Sequence, residues 1–396
     1  MKAELNTLDQ LGYLSRGRSR HRPRDAAHLY GGPYPFIQTG DVKHAGLYIT
    51  SYGQSYSEAG LAQSRLWNAG TLCITIAANI ADTAILTFDA CFPDSVIGFV
   101  PDEERADARF IKYLFDALLQ KRYQKFTQGA AQENLSQEKL LSLQFPVPSI
   151  EVQHRIADVL AAYDTHIENN RRRIQLLEQS ARLLYKEWFV HLRFPGHEHV
   201  MVVDGVPKGW EKVLLSHMCD DIREAVRPND IDPKTPYIGL EHIPRRSITL
   251  SEWGRAEDVT SNKFRFRQGD ILFGKIRPYF HKVGFALTDG ITSSDAIVIR
   301  PHAFDLYHLV LMLVTSEHFV AVASKTAKEG SKMPRADWNH LKAFAVTVPQ
   351  KSLREAFHDA IAPIVAQLKT LAFHSRTLSI ARDLLLPRLM SGEIEI

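Results

Sequence analysis

The sequence predicts an α+β chain: two tandem mixed α/β domains separated by two long antiparallel coiled-coil helices, with a pseudo-twofold internal repeat. Two observations predict it. A series of short motifs recurs in the same order about 200 residues downstream, and each copy ends on a sustained heptad helix. Phe36-Ile37-Gln38-Thr39-Gly40-Asp41-Val42 is answered by Tyr237-Ile238-Gly239-Leu240-Glu241-His242-Ile243, and Gly70-Thr71-Leu72-Cys73-Ile74 by Gly269-Asp270-Ile271-Leu272-Phe273. Ser95–Pro101 is answered by Asp295–Pro301, and Phe145-Pro146-Val147-Pro148 by Val346-Thr347-Val348-Pro349. A solenoid unit runs ~20–50 residues, so a period this long describes two copies of a whole domain plus helix.

Each half opens with β-branched, aromatic-rich runs bounded by Gly, Pro, Asp and Ser, which read as strands at 36–38, 71–77, 84–88 and 95–100, then at 237–240, 270–276, 282–287 and 295–300. Apolar spacing by four (Phe110, Leu114, Leu118; Leu309, Leu313) predicts helices over 107–126 and 305–324. Gly-centred polar loops follow at 128–134 and 328–335, and a Pro-punctuated strand closes each half. Beyond Pro148, with Ser149 as a cap, Ile156, Leu160, Tyr163, Ile167, Asn170, Ile174, Leu177, Ala181, Leu184 and Trp188 step by four and three. Beyond Pro349, where Ser352 and Glu355 suggest a capping box, Phe357, Ile361, Ile364, Leu368, Leu371, Ser375, Leu378 and Leu385 keep the same steps. A sustained 3.5-residue repeat is the signature of a coiled coil, and one polar residue per seam (Asn170, Ser375) can set register. The simplest closure is intramolecular, the alternative being a coiled coil that dimerises the protein. The resulting division is 1–148, first domain; 149–192, central helix; 193–209, linker; 210–350, second domain; and 351–396, C-terminal helix.

Composition narrows the class. Hydrophobic residues make up 45% of the 396, enough for two cores. Three cysteines in no paired spacing point to a reduced, cytoplasmic setting, no secretory apolar region opens the chain, and Leu309–Val314 is too short to span a membrane. The net charge of +3 says little, but cations cluster. Arg16, Arg18, Arg20, Arg22 and Arg24 alternate, as do Lys263, Arg265 and Arg267, and Lys325, Lys328, Lys332 and Arg335 bracket Gly330. Alternation gathers like charges on one face of an extended segment, where a polyanion would relieve their repulsion. The other reading of each cluster is a solvated loop.

Catalytic signatures are missing from the sequence. It contains no G-x-x-x-x-G-K-[ST] loop and no G-x-G-x-x-G after a strand. It lacks the Asn-Pro-Pro-Tyr or Asp-Pro-Pro-Tyr clamp of amino-methylating enzymes. His191, His197 and His199 lack partner ligands at metal spacing and read as linker histidines, so no metal is expected.

Several segments are similar to one family. Gly129–Phe145, the Pro-Val-Pro strand, Glu151–Leu160 and the helix exit Tyr185-Lys186-Glu187-Trp188-Phe189-Val190 resemble the central region of Type I restriction–modification specificity subunits. Val206-Pro207-Lys208-Gly209-Trp210 resembles the opening of a target recognition domain, and Leu272–Gly284 a strand-loop-strand piece within one. Leu384–Ile394 completes the match, which runs in order along nearly the whole chain. The resemblance implies a non-catalytic subunit with two target recognition domains. Each would read one half of a bipartite, asymmetric site on double-stranded DNA, with the helices setting the gap. It implies two methyltransferase subunits docked on the helices and restriction subunits joining them, with adenosylmethionine, ATP and magnesium on those partners only.

Base readout needs paired donors and acceptors: Arg to guanine, Asn or Gln to adenine. On that basis Gln128, Gln132 and Asn134 are reading candidates in the first half, with Arg18, Arg20 and Arg22 on phosphates; Gln132 and Asn134 also suit a turn and helix cap. In the second half the candidates are Lys275, Arg277, Lys332 and Arg335, with Lys263 and Arg265 as supporting charges. The competing readings are a self-contained methyltransferase or nuclease fusion, and a coiled-coil adaptor with two protein-binding heads and no nucleic-acid role.

Overall fold

The computed structural model describes residues 3–77, 80–120, 136–326 and 333–396. The chain forms two compact units, one of Met1–Asn169 with Thr377–Ile396 and one of Asn170–Arg376.

The first unit is built on a five-stranded sheet in the order Gly12–Arg16, Val96–Pro101, Leu72–Thr75, Thr83–Leu86, Tyr48–Ile49, all antiparallel except the last pair. The second unit repeats it: Cys219–Asp221, Ala296–Pro301, Ile271–Gly274, Val283–Ala286, Thr249–Leu250, again with only the last pair parallel. Registers correspond. Leu72 lies opposite Ile85 and Phe99, and Ile271 opposite Phe285 and Ile299. The turn into each central strand rests on Gly70 and Gly269, at φ 87° and 90°, a left-handed conformation that a side chain disfavours. The Gly-led motif seen twice in the sequence is thus one turn used twice. Each unit also has a second sheet with one parallel pair (Phe36 opposite Cys91; Tyr237 opposite Ile291) and a two-stranded antiparallel ribbon, Glu4–Asn6 with Phe145–Val147 or Glu211–Leu214 with Ala345–Val348.

Of the two predicted helices, the first is described only as far as Gln120 and the second is broken. Asp107 caps Ala108–Phe115, its carboxylate accepting from Arg109 N at 2.7 Å, and a π turn over Asp116–Gln120 follows. The second is broken into Phe304–Val314 and Glu317–Lys325. Thr315 Oγ1 donates to Leu311 O at 2.7 Å, and Ser316 Oγ accepts from Phe319 N at 3.2 Å to start the next helix. Side-chain hydroxyls that satisfy backbone groups locally compete with helix continuation. Among the described residues that bent pair is the one place where length and composition together approach a membrane span, and no single helix is long and apolar enough to cross one.

The long helices are Ile150–Tyr185 and Lys351–Met390. The second begins two residues earlier than the expected box: Leu353 N and Arg354 N donate to Gln350 O, so Gln350 is the cap and Ser352 lies inside the first turn. Within the second unit the helices run antiparallel, Asn170 Nδ2 meeting His374 Nδ1 at 3.2 Å while the Tyr185 ring lies 6.5 Å from Phe357. Phe357, Ile361 and Leu368 are buried there, with Ile174, Leu177 and Ile364 half-buried against the same core. Within the first unit Ile156 and Leu160 are buried in one cluster with Leu389 and Met390, while Tyr163, Ile167 and Leu378 are half-buried. Asn170 is buried and bonded as a register-setting residue should be, but Ser375 Oγ is buried without a partner.

Buried charge on the first helix was not legible in the heptads. Glu178, 3% exposed, takes four hydrogen bonds on one oxygen, from Ser247 Oγ (2.7 Å), Ile248 N (3.0 Å), Thr249 N (3.1 Å) and Thr249 Oγ1 (2.8 Å). In the first unit Asp164 accepts from Tyr113 Oη at 2.5 Å and pairs with Arg382. Burial, reinforced by that carboxylate, raises the Tyr113 phenol far above its ordinary range.

Candidate nucleic-acid interface

In the first unit the strand Gly12–Arg16 runs into the arginine-rich stretch, and exposure alternates as an extended segment requires: Arg16, Arg18, Arg20 and Arg22 exposed, Gly17 and Ser19 buried. The backbone is anchored on both sides. Gly17 N donates to Val96 O at 2.9 Å and Arg18 N to Phe92 O at 3.0 Å. Across from them, Gln63 Oε1 accepts from Arg20 N (2.6 Å) and His21 N (3.0 Å), and Ser64 Oγ donates to Arg18 O (2.8 Å). A Cβ on Gly17 would lie 2.3 Å from Phe92 O, so only glycine allows this approach.

The arginines are not equivalent. Arg22 Nη1 donates to the backbone oxygens of Ser19 and His21 at 2.7 and 2.8 Å, and Arg24 pairs with Asp94 at 2.9 Å. Among the described residues Arg18 and Arg20 have no carboxylate partner, so their charge is free for an external anion. Arg22 mainly braces the loop.

In the second unit an antiparallel bridge between Ile276 and Arg335 brings two of the predicted cationic segments together. Arg277 N donates to Pro334 O at 2.8 Å and Ala336 N to Lys275 O at 2.9 Å. Arg335 pairs with Asp295 at 3.1 Å. Lys275 Nζ donates to Ser294 O at 2.8 Å; burial lowers its pKa, with nearby Asp221 opposing and Arg223 assisting. Arg277 is exposed, with φ 49°, at the start of the turn Pro278–Phe280; its guanidinium lies 5.9 Å from the Phe280 ring and that of Arg245 lies 4.0 Å from it. Exposed Arg265 lies 3.8 Å from Glu224.

Lys263 is a correction to the expected exposed cations. It is 8% exposed, and its ammonium turns back to Ser261, donating to the backbone oxygen at 3.0 Å and Oγ at 2.7 Å. Its strand, Lys263–Phe266, has neighbours on both sides, so the side chain folds over its own turn instead of projecting; burial lowers its pKa. Gln128, Gln132, Asn134 and Lys332 lie outside the described residues. Sequence reasoning missed Arg65, Arg223 and Arg245. Arg245-Arg246 after Pro244 was a visible doublet, but nothing along the chain announces that Arg65 or Arg223 meets these segments. Among the described residues no group of three or more His, Cys, Asp or Glu could hold a metal ion.

Residues 5–179 match the family model of the Type I restriction modification DNA specificity domain. Over those residues the chain resembles that family. It is similar to the Type I restriction enzyme MjaIX specificity subunit of Methanocaldococcus jannaschii, at 22% identity over 388 residues, covering 93% of this chain and 88% of that protein. It is similar also to the EcoDI specificity subunit of Escherichia coli, at 25% identity over 228 residues, covering 51% of this chain and 50% of that protein. Among solved structures, the S subunit of a Type-I restriction-modification system from M. genitalium matches with a TM-score of 0.59 at 14% identity, over 98% of this chain and 95% of that one, a likeness of fold.

Proposed function

We propose that this chain is the non-catalytic DNA reader of a Type I restriction–modification complex. Residues 1–148 and 210–350 act as target recognition domains, each reading one half of a bipartite, asymmetric site. The helices 149–192 and 351–396 set the spacing under a pseudo-twofold relation of the halves, and 193–209 link them. The observation that carries this reading is the repeated sheet topology with different exposed cations on each copy: Arg18 and Arg20 in one, Arg277 and Arg335 in the other. One architecture with two surfaces suits two different DNA words. Phosphates would be met by these cations, while base edges specify.

Two methyltransferase subunits dock on the helical region in this reading, and restriction subunits join the assembly. Exposed Leu176 and Leu183, 57% and 60% accessible and one heptad apart, support an apolar docking stripe outside the core-facing seam. Adenosylmethionine, ATP and magnesium are assigned to the partners.

The test is co-expression with the cognate methyltransferase, followed by sequencing of the methylated DNA. One split, asymmetric motif is expected, along with DNA retention by the complex that weakens steeply with salt. A stable complex that marks no defined sequence overturns the reading, as does salt-insensitive retention, which would favour a protein-binding adaptor.

A further inference from the structure

Arg65 is the residue in the first unit best prepared to read a base. Its guanidinium lies 4.1 Å from the Trp67 ring and 5.0 Å from that of Tyr13, and its Nη1 donates to Tyr13 Oη at 2.7 Å. The platform beneath is rigid. Trp67 is 2% exposed and stacks on Phe92 at 5.0 Å, and a Cβ on Gly98 would come within 2.6 Å of the Trp67 ring, so strand and ring are in close contact. Tyr13, by contrast, is 51% exposed, so the cluster opens to solvent on one side.

Two features separate this arginine from a simple lid over a tryptophan. Guanidinium has five N–H donors, and the structure engages only the Nη1 side, leaving the Nε–Nη2 edge without a protein acceptor among the described residues. The loop carrying it is also tied to the arginine row. Gln63 and Ser64, its immediate predecessors, hold the backbone of Arg18, Arg20 and His21. A donor fork fixed by two rings therefore sits beside the unpaired Arg18 and Arg20. Cations position a polyanion, and a bidentate fork is the group that recognises guanine O6 and N7. Stacking in advance also removes much of the rotamer entropy that a free arginine would lose on binding.

We propose that Arg65 is a specificity-determining residue that reads a guanine in the half-site bound by the first unit, with Tyr13 and Trp67 positioning it. This rests on the DNA-reading function above. The experiment uses the complex with its methyltransferase, a randomised DNA library, and recovery of the methylated sequences. For Arg65→Lys, which keeps the charge but loses the fork, discrimination at one G·C position should fall by roughly 10- to 100-fold. The other half-word should stay unchanged, which also reports that the complex is assembled. Arg65→Gln should move that position toward adenine. Arg18→Ala should weaken all sequences alike and leave both words intact. Recovery of the wild-type motif by both Arg65 variants overturns the inference. Failure of the wild-type complex to select any split motif overturns the proposed function instead.

Discussion

Glu178 lies next to the predicted seam residue Leu177, and replacing it should be among the most damaging single changes in the second unit. Glu178→Ala removes one carboxylate oxygen that accepts from two backbone N–H groups and two hydroxyls, all at 2.7–3.1 Å. The hydroxyls can rotate to other acceptors, but Ile248 N is left unpaired and Thr249 N keeps only a long 3.5 Å contact to Ser247 Oγ, in a buried setting where Ile248 is 1% and Thr249 2% exposed. Each orphaned buried donor costs about 1–3 kcal/mol, and the contact of Glu178 with Arg182 at 3.5 Å, on a partly exposed arginine, adds about 0.3–0.5 kcal/mol. The expected loss is therefore about 2–6 kcal/mol. Glu178→Gln keeps an acceptor oxygen at the same reach and should lose less than half of that. Urea denaturation followed by tryptophan fluorescence is a direct assay, because four of the five tryptophans (Trp188, Trp210, Trp253, Trp338) belong to the second unit. A Glu178→Ala protein within 1 kcal/mol of wild type (~1 kcal/mol being the worth of one ordinary hydrogen bond), or a Gln variant no better than Ala, would refute this account.

Other outcomes can be checked alongside. His308 and His358 face each other, both buried, with Nδ1 atoms 3.0 Å apart; burial, assisted by His358, lowers the His308 pKa to about 3 from an ordinary 6.5. The unfolded chain then binds the extra proton between those values, so stability is full above pH 6.5 and falls as the pH drops toward 3. At pH 5 the His308 contribution to that loss is about 2 kcal/mol, and His308→Gln should flatten the pH dependence of urea midpoints by that amount. Alanine at both Arg18 and Arg20 should reduce the slope of log affinity against log salt by about 1.8, with equal loss on every sequence; an unchanged slope would remove them from the phosphate contacts. Arg335→Ala breaks an exposed pair with Asp295, so unfolding free energy should change by less than about 1 kcal/mol while DNA affinity drops; an unchanged affinity removes it from the interface.

Much of the architecture was legible because it rests on patterns repeated in the sequence. Gly70 and Gly269 mark the same turn, and the runs around Leu72 and Ile271 became central strands within one or two residues of the expected limits. The heptads located both long helices because a 3.5-residue repeat sums over many turns and outweighs any single position. What escaped was chemistry decided by a distant partner. Lys263 has the sequence neighbours of a surface cation, yet a strand on each side directs its ammonium to Ser261. Glu178 reads as an ordinary helix carboxylate until Ile248 and Thr249 arrive from about 70 residues away. Arg65 was invisible because its platform joins Tyr13 and Trp67, which lie on strands of two different sheets and meet only in the folded unit. Thr315 broke a helix through one hydroxyl, which hydrophobic spacing cannot register.

The first unit is assembled from both ends of the chain, whereas the second is a single uninterrupted stretch, Asn170–Arg376. During synthesis from the N-terminus, domains usually fold in the order in which they emerge. Here that order is reversed. All of the second unit is available before residues 377–396, which bring Leu389 and Met390 into the first unit's cluster and Arg382 to the buried carboxylate of Asp164. Until they arrive, the earlier-made half keeps an open apolar seam and a buried carboxylate without its cation, so a ribosome-released chain lacking its last twenty or so residues should carry a sound second half and an unfinished first one.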